Sequence, residues 1–420
     1  MKIQDLHSAF LANPSISTDT RKIKTNDIFF ALKGENFNGN LYAQKALDSG
    51  ASLAIIDEEE YILNDRTILV KDVLTALQEL ANFHRKYCSA KIISLTGSNG
   101  KTTTKELINT VLSKTYKTVA TKGNLNNHIG VPLTLLTIQP DTEIAIVEMG
   151  ANHLKEIEFL CKIAEPDFGY ITNFGKAHLE GFGGIEGVKK GKSELYDYLI
   201  LNNKSIFLNA DDQIQLEKLG TYTKKYGFSS ENSKYYNIKL VEAQPFVTIK
   251  VEDTIIKSNL IGAYNFTNCC AAIIIAKYFN VDLSEVKNAI EKYTPNNNRS
   301  QILNTNGHYI ILDAYNANPS SMTVALENFY SLKKDRKFLI LGDMFELGST
   351  AKEEHQNIAD LTKKLNFEQV LLIGENFNHT KTTATKLKSF DNLKDYLKEN
   401  QIQENSTILI KGSRGMALER

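Results

Sequence analysis

Ile92-Ile93-Ser94-Leu95-Thr96-Gly97-Ser98-Asn99-Gly100-Lys101-Thr102-Thr103-Thr104 is the stretch on which the reading of this chain turns. An apolar run fit for a buried strand stops at two glycines, and a helical pattern follows from Thr103 to Leu112. Glycines at those positions permit a turn that β-carbons would obstruct. Successive backbone N–H groups and the N-terminus of the helix then converge on phosphate oxygens. Gly97, Ser98, Asn99 and Gly100 thus read as a nucleotide phosphate cradle that runs into Thr103. Lys101 is placed to reach the β- and γ-phosphates, and the Thr102 hydroxyl to hold Mg²⁺. Only two residues separate Gly97 from Gly100, where the usual phosphate loop has four. Phosphate binding is therefore the firm conclusion, and the short loop marks a subclass.

Strands and helices alternate outward from this loop. Glu143–Met149, Phe168–Thr172 and Ser205–Leu208 read as further buried strands, so a parallel, doubly wound α/β sheet is expected. Phe246–Val251 and Thr254–Leu260 break the rhythm as antiparallel strands about a Glu252-Asp253 turn, and a long apolar helix starts near Asn265. Toward the N-terminus, short β-like runs (Ile28–Ala31, Leu53–Ile56, Thr67–Val70) precede a helix marked by Leu74, Leu77, Leu80, Ala81, Phe83 and His84. Thr294-Pro295-Asn296-Asn297-Asn298 reads as a linker. Beyond it, Tyr309–Leu312, Phe338–Leu341, Val370–Ile373 and Ile408–Ile410 outline a second, smaller α/β domain, while Lys381–Lys388 reads as solvated surface. Three domains follow, at 1–90, 91–295 and 296–420.

Composition narrows the function class. Forty-nine basic residues balance 49 acidic ones, so no global field attracts nucleic acid or an anionic membrane. No apolar run is long enough to span a bilayer, and Met1–Phe10 has no signal-peptide pattern, so a cytoplasmic protein is expected. Cys88, Cys161, Cys269 and Cys270 form no C-x-x-C pair and read as small buried side chains in a reducing compartment.

An ATP site that does chemistry needs metal ligands beyond the loop threonine. Glu148 closes the apolar run Ile144–Val147, and a carboxylate at the C-terminal end of a central strand faces the ligand crevice of an open α/β sheet. His178 lies in a loop past another buried strand; on its own a histidine there is more often a satisfied loop residue than a ligand of the oxygen-preferring Mg²⁺.

Together these segments resemble the Mur ligases, ATP-dependent amide-bond ligases of peptidoglycan precursor synthesis, over essentially the whole chain. The likeness is carried by Ser17–Arg21, Asp27–Gly34, Thr96–Thr103, Gly123–Asn127, Val147–Asn152, Ala177–Phe182, Asp313–Pro319, Leu341–Gly348 and Lys411–Arg414. It implies a UDP-binding N-terminal domain, a central ATPase domain with a parallel sheet and a small antiparallel one, and a Rossmann-like C-terminal domain. In the first, Thr20, Arg21, Phe30, Lys33 and Asn38-Gly39-Asn40 would meet the UDP end. The family often has Asp-Gly-His where this chain has Asn38-Gly39-Asn40.

By the same resemblance, Asn124, Asn126 and Asn127 border the muramoyl-peptide region. Glu148 and His178 correspond to Mg²⁺ ligands, and Lys192 to a lysine carried as a carbamate, an anionic oxygen donor suited to a hard ion. Asn265 and Asn268 correspond to adenine contacts, with Tyr264 standing where the family has histidine. Arg299 would reach an ATP phosphate, Asp313 the ribose, and Tyr315, Asn316, Asn318, Lys411, Ser413 and Arg414 the acceptor side of the cleft. The implied reaction uses ATP and Mg²⁺ to join D-alanyl-D-alanine to a UDP-N-acetylmuramoyl-tripeptide, in a monomer, through an acyl phosphate. Residues 315–319 and 342–344 favour that dipeptide over a diaminopimelate- or lysine-adding ligase or a folylpolyglutamate-type one. A non-catalytic ATP-binding protein is the remaining alternative.

Overall fold

The computed structural model describes residues 2–367 and 369–420. Its backbone is α/β throughout, and internal contacts group it into two units: 1–94 with 116–150 and 156–168, and 95–115 with 151–155 and 169–420.

In the first unit, strands Ile16–Ser17, Ile28–Phe30, Leu53–Ile56 and Thr67–Leu69 lie side by side, each pair parallel. Parallel strands covered on both faces are apolar on both faces, which is why Ile28-Phe29-Phe30 is buried at every position. Phe29, Ala46, Leu47, Ala54 and Ile56 form the core between this sheet and the helix Ala43–Asp48. Asp72 accepts from the Thr75 N–H and caps the helix Val73–Tyr87, whose Val73, Leu77, Leu80, Ala81 and His84 face inward at helical spacing. Thr118–Ala120 pairs parallel with Ile144–Glu148.

Ser205–Asn209, Lys225–Ser229 and Tyr236–Glu242 run parallel, and the antiparallel strands Thr248–Val251 and Thr254–Lys257 follow. Helix Lys101–Leu112 buries Thr104, Leu107, Ile108, Val111 and Leu112. Helix Tyr264–Tyr278 packs against it and is enclosed almost all round, from Phe266 through Ile273 to Ala276. Each large apolar side chain shut away there contributes about 1.5–3 kcal/mol. Cys269 and Cys270 lie within it as packing groups, and all four cysteines are buried thiols.

The last sheet orders its strands Gln301–Thr305, His308–Asp313, Thr407–Lys411, Lys337–Gly342, Gln369–Ile373 and Thr385–Leu387; only the first pair is antiparallel. Because Thr407–Lys411 inserts between His308–Asp313 and Lys337–Gly342, the carboxyl ends Asp313, Gly342 and Lys411 come together at one edge. That edge is where an open parallel sheet offers its crevice. The strand Thr385–Leu387 lies within the stretch expected to be solvated surface; three half-buried residues on a sheet edge give no alternating pattern. Thr294–Asn298 carries no helix or strand.

Candidate active site

The phosphate loop is held from behind by the segment 172–175. The Ser98 N–H donates to Asn173 O at 3.0 Å and the Ser98 hydroxyl to Gly175 O at 2.7 Å. Asn99 N–H donates to Asn173 Oδ1, while the Thr172 hydroxyl and the Asn173 amide both donate to Asn99 O. Gly97 has φ +137°, and a β-carbon there would lie 2.0 Å from Thr172 Oγ1. Gly100 has φ +80° and would meet Asn268 Oδ1 at 2.6 Å. Both positions therefore require glycine. The first intrahelical bond runs from Thr104 N to Gly100 O, so Thr102 and Thr103 have no helix carbonyl for their N–H groups and offer them to an anion. Lys101 Nζ donates to Gly97 O at 2.7 Å and Ser98 O at 3.3 Å, folded back over the loop. Thr102 is 4% exposed.

Asn265 and Asn268 are engaged behind the same loop. Asn268 Oδ1 accepts from the Thr104 hydroxyl, its amide donates to Asn265 Oδ1, and Asn265 donates to Ile261 O. Both residues are buried, so in this structure they brace the loop helix rather than present open amides. Glu106, one turn further along that helix, accepts from Tyr293 OH at 2.5 Å and from the Asn297 amide at 3.1 Å. These bonds fasten the segment between the helix Leu283–Lys292 and the strand Gln301–Thr305 to the loop helix.

Past the loop, His178 has φ +53°, and its Nδ1 is hydrogen-bonded to the Glu346 carboxylate. That bond holds the Glu346 carboxyl below the usual carboxylate range, against a smaller opposing effect of burial. Lys176 pairs with Glu354 at 2.6 Å, and its N–H donates to the Ser320 hydroxyl at 2.8 Å. Lys192 is wholly enclosed, with Nζ donating to Ala151 O at 2.9 Å and lying 4.9 Å from the Phe182 ring centre. An enclosed lysine is costly unless it is used. Its burial excludes a solvated helix lysine.

In the first unit Glu148 is 1% exposed. Its Oε1 accepts from Asn126 at 2.8 Å, and its Oε2 has no hydrogen-bond partner among the described residues. Asn127 Oδ1 accepts from the Ile129 and Gly130 N–H groups and so shapes the turn into the helix Gly130–Leu135. Asn124 O accepts from the Asn126 N–H within the same turn.

At the carboxyl edge of the last sheet, Lys411, 2% exposed, donates to Asp313 Oδ2 at 2.6 Å and to Asn316 O at 3.3 Å. Ser300 N–H donates to Asp313 Oδ1, and Ser300 Oγ is 2.7 Å from Tyr264 OH. The Arg299 guanidinium stacks 3.8 Å from the Tyr315 ring centre, with Arg414 5.3 Å away from the same ring. Ser413 Oγ receives the Phe345 N–H. Asn318 caps the helix Pro319–Ser331 and donates to Asn99 Oδ1.

Three Mur ligase matches divide the chain: the family catalytic domain over residues 14–85, the middle domain over 95–276 and the glutamate ligase domain over 298–414. The UDP-N-acetylmuramoyl-tripeptide–D-alanyl-D-alanine ligase of Bacillus subtilis strain 168 is 33% identical over 99% of this chain and 96% of its own length. The chain belongs to the Mur ligase family. Among solved structures, MurF from Acinetobacter baumannii superposes with a TM-score of 0.84 at 28% identity, over 96% of this chain and 91% of that one. MurF ligase from Thermotoga maritima, in complex with ADP, gives 0.84 at 26% identity over 96% and 95%.

The N-terminal residues of this Mur ligase divide into two kinds. Lys33 pairs with Asp57 at 3.0 Å and Glu58 at 3.4 Å, and Asn38 donates to Glu58. Burial alone would raise the Asp57 carboxyl; bonds from Asn40, Lys33 and the Val73 N–H outweigh it and hold the group below its ordinary value. Arg21, beside Thr20, is largely exposed and pairs with Asp19, whose carboxyl is held at about 2 by the Arg21 hydrogen bonds. Phe30 is 0% exposed, a core residue of its sheet with no surface to offer a ligand. Asn40 is likewise enclosed, an internal strut bonded to Asn38 and Asp57, with Gly39 pressed against Leu32 O.

Glu346, Glu354, Lys176, Ser320 and Glu106 of this Mur ligase were not singled out from the sequence. Glu346 lies in the run Leu341–Gly348 that carries the family likeness, so a signal for it is present in the sequence. The others are ordinary helix or loop side chains whose partners lie 144 to 191 residues away.

Proposed function

We propose that this Mur ligase joins D-alanyl-D-alanine to the terminal carboxylate of UDP-N-acetylmuramoyl-tripeptide, driven by ATP and passing through an acyl phosphate. The observation that carries the reading is near-complete coverage at 33% identity by the Bacillus subtilis ligase of that activity. A free carboxylate oxygen is a poor leaving group; transfer of the γ-phosphoryl group to it makes one that an amine can displace. The N–H groups of Thr102 and Thr103 and the Lys101 ammonium take up the charge that develops on the phosphoryl oxygens. The D-alanyl-D-alanine amine then attacks the acyl carbon and phosphate departs.

The donor set suits a divalent cation. Glu148 offers a buried carboxylate oxygen with no partner, and among the described residues His178 Nε2 has no hydrogen-bond partner either. Thr102 adds a hydroxyl, and Lys192, as a carbamate, would keep an N–H for Ala151 O while adding two anionic oxygens. By the family resemblance these four are the residues that would hold Mg²⁺, which would lower the negative charge that the nucleophilic carboxylate meets. Arg299 and Asp313 belong to the ATP side of this reading. Tyr315, Asn316, Lys411, Ser413 and Arg414 belong to the acceptor side, and Lys33, Asn38 and Arg21 to the UDP end. The reading keeps the divisions near residues 90 and 295, a monomer and a cytoplasmic setting; among the described residues no helix is long and apolar enough to cross a membrane.

Phosphate release measured with ATP, Mg²⁺ and the UDP-tripeptide, varying only the amine, tests this. D-alanyl-D-alanine should stimulate release, and Lys101→Ala should abolish it in a folded protein. A response to meso-diaminopimelate, lysine or glutamate instead would select another ligase of the superfamily. Nucleotide binding without any acceptor response would leave a non-catalytic binding protein.

A further inference from the structure

Glu346 is a half-exposed carboxylate set down with unusual care. Its backbone has φ +60°, a region that non-glycine residues rarely occupy, and His178 opposite has φ +53°. The loop that carries it is fixed on both sides: Met344 N–H donates to His355 Nε2, Phe345 N–H to Ser413 Oγ, and Leu347 is buried. The backbones also touch, with Glu180 N–H donating to Glu346 O at 3.2 Å. Gly348 has φ +54°, and a β-carbon there would lie 3.1 Å from Glu180 Cβ and Cγ. An ion pair this exposed contributes little to stability. The construction serves the imidazole.

We propose that Glu346 is a positioning residue for His178. By accepting from Nδ1–H it fixes the imidazole in the tautomer whose Nε2 carries the lone pair, and it locks the ring's orientation. The carboxylate comes from the C-terminal glutamate-ligase domain and the imidazole from the middle domain. His178 is therefore set for a cation only while the two are joined, which links metal readiness to the arrival of the acceptor-binding edge. This rests on the reading of His178 as a ligand of the divalent cation.

The test uses the full chain as wild type, Glu346→Ala, Glu346→Gln and Glu354→Ala. The last removes the Lys176 ion pair at the same junction without touching His178. Two quantities are read: the side-chain ¹⁵N spectrum of His178 without metal, and Mn²⁺ affinity by electron paramagnetic resonance with a non-hydrolysable ATP analogue present. Glu346→Ala should shift His178 toward the Nε2–H form and weaken Mn²⁺ binding at least about tenfold, the usual effect of losing such a carboxylate partner. Glu346→Gln, whose amide oxygen still accepts, should recover part of both effects, and Glu354→Ala should leave the tautomer unchanged and the affinity within about twofold. An unchanged tautomer in Glu346→Ala, or equal losses of Mn²⁺ affinity in Glu346→Ala and Glu354→Ala, overturns the proposal. If wild type takes up no Mn²⁺ beside the nucleotide, the cation reading fails instead, and the metal-free spectrum still decides whether Glu346 sets the imidazole.

Discussion

Asn318 donates its side-chain amide to Asn99 Oδ1 at 2.7 Å, so the residue that caps the helix Pro319–Ser331 also grips the phosphate loop. One side chain thereby does two jobs, since its Oδ1 accepts from the Ser321 N–H while its Nδ2 reaches Asn99.

Those jobs separate by substitution. Asn318→Ala should cost about 1 kcal/mol of stability through loss of the cap and also depress turnover. Asn318→Ser keeps a capping oxygen but is too short to reach Asn99. It should restore the melting temperature and leave turnover low. Recovery of both in Asn318→Ser would mean that the Asn99 contact is idle.

Gly100→Ala forces a β-carbon to 2.6 Å from Asn268 Oδ1 in a left-handed backbone. Affinity for an ATP analogue, measured by calorimetry, should fall together with stability, the conformational part alone costing about 1–2 kcal/mol. Gly220 also has positive φ (+45°), but nothing lies within 4 Å of a β-carbon there. Gly220→Ala should therefore lose stability and keep its nucleotide affinity.

Lys192 is enclosed in the protein with its Nζ on a carbonyl, so a carbamate there depends on dissolved carbon dioxide. Phosphate release should fall in degassed, bicarbonate-free buffer and return on adding bicarbonate. Lys192→Ala should be inactive in both. Activity of the wild type that ignores bicarbonate after exhaustive stripping argues against the modification.

His7 Nε2 and His84 Nδ1 meet at 3.0 Å in the first unit, and His84 Nε2 faces Ile138 O at 2.8 Å. Burial lowers the pKa of both: for His7 the neighbouring His84 adds to the effect, and for His84 the Ile138 carbonyl opposes it. The unfolded chain thus binds more protons than the folded one once pH drops through the ordinary histidine value of 6.5. Stability contributed by the neutral pair is present above that value and is lost on acidification. Melting temperature should fall from about pH 7.5 to about pH 5.5, less steeply in His7→Phe. An equal slope in that variant would locate the sensitivity elsewhere.

Much of this was legible in the sequence because the signals were local. The run Ile92–Thr96, the glycines and Thr103–Leu112 specify strand, turn and helix within a few residues, and the structure forms them there. Phe30 shows where motif reading stops: it belongs to a recognisable run, yet its ring packs inside the sheet. Asn268 shows the same for chemistry, since an amide expected at a ligand is taken up by Thr104 and Asn265. The strand Thr385–Leu387 carries too little pattern to be found, being short, polar and on an edge. The pairings of Glu346 with His178 and Glu354 with Lys176 span 168 and 178 residues, and no spacing rule reaches that far.

The central claim is tested most directly by the product. Incubated with ATP, Mg²⁺, UDP-N-acetylmuramoyl-tripeptide and D-alanyl-D-alanine, the protein should yield, by mass spectrometry, the nucleotide carrying both added alanines. One phosphate should be released for each amide formed. ATP consumption without that product, or the same product yield with ATP omitted, would contradict it.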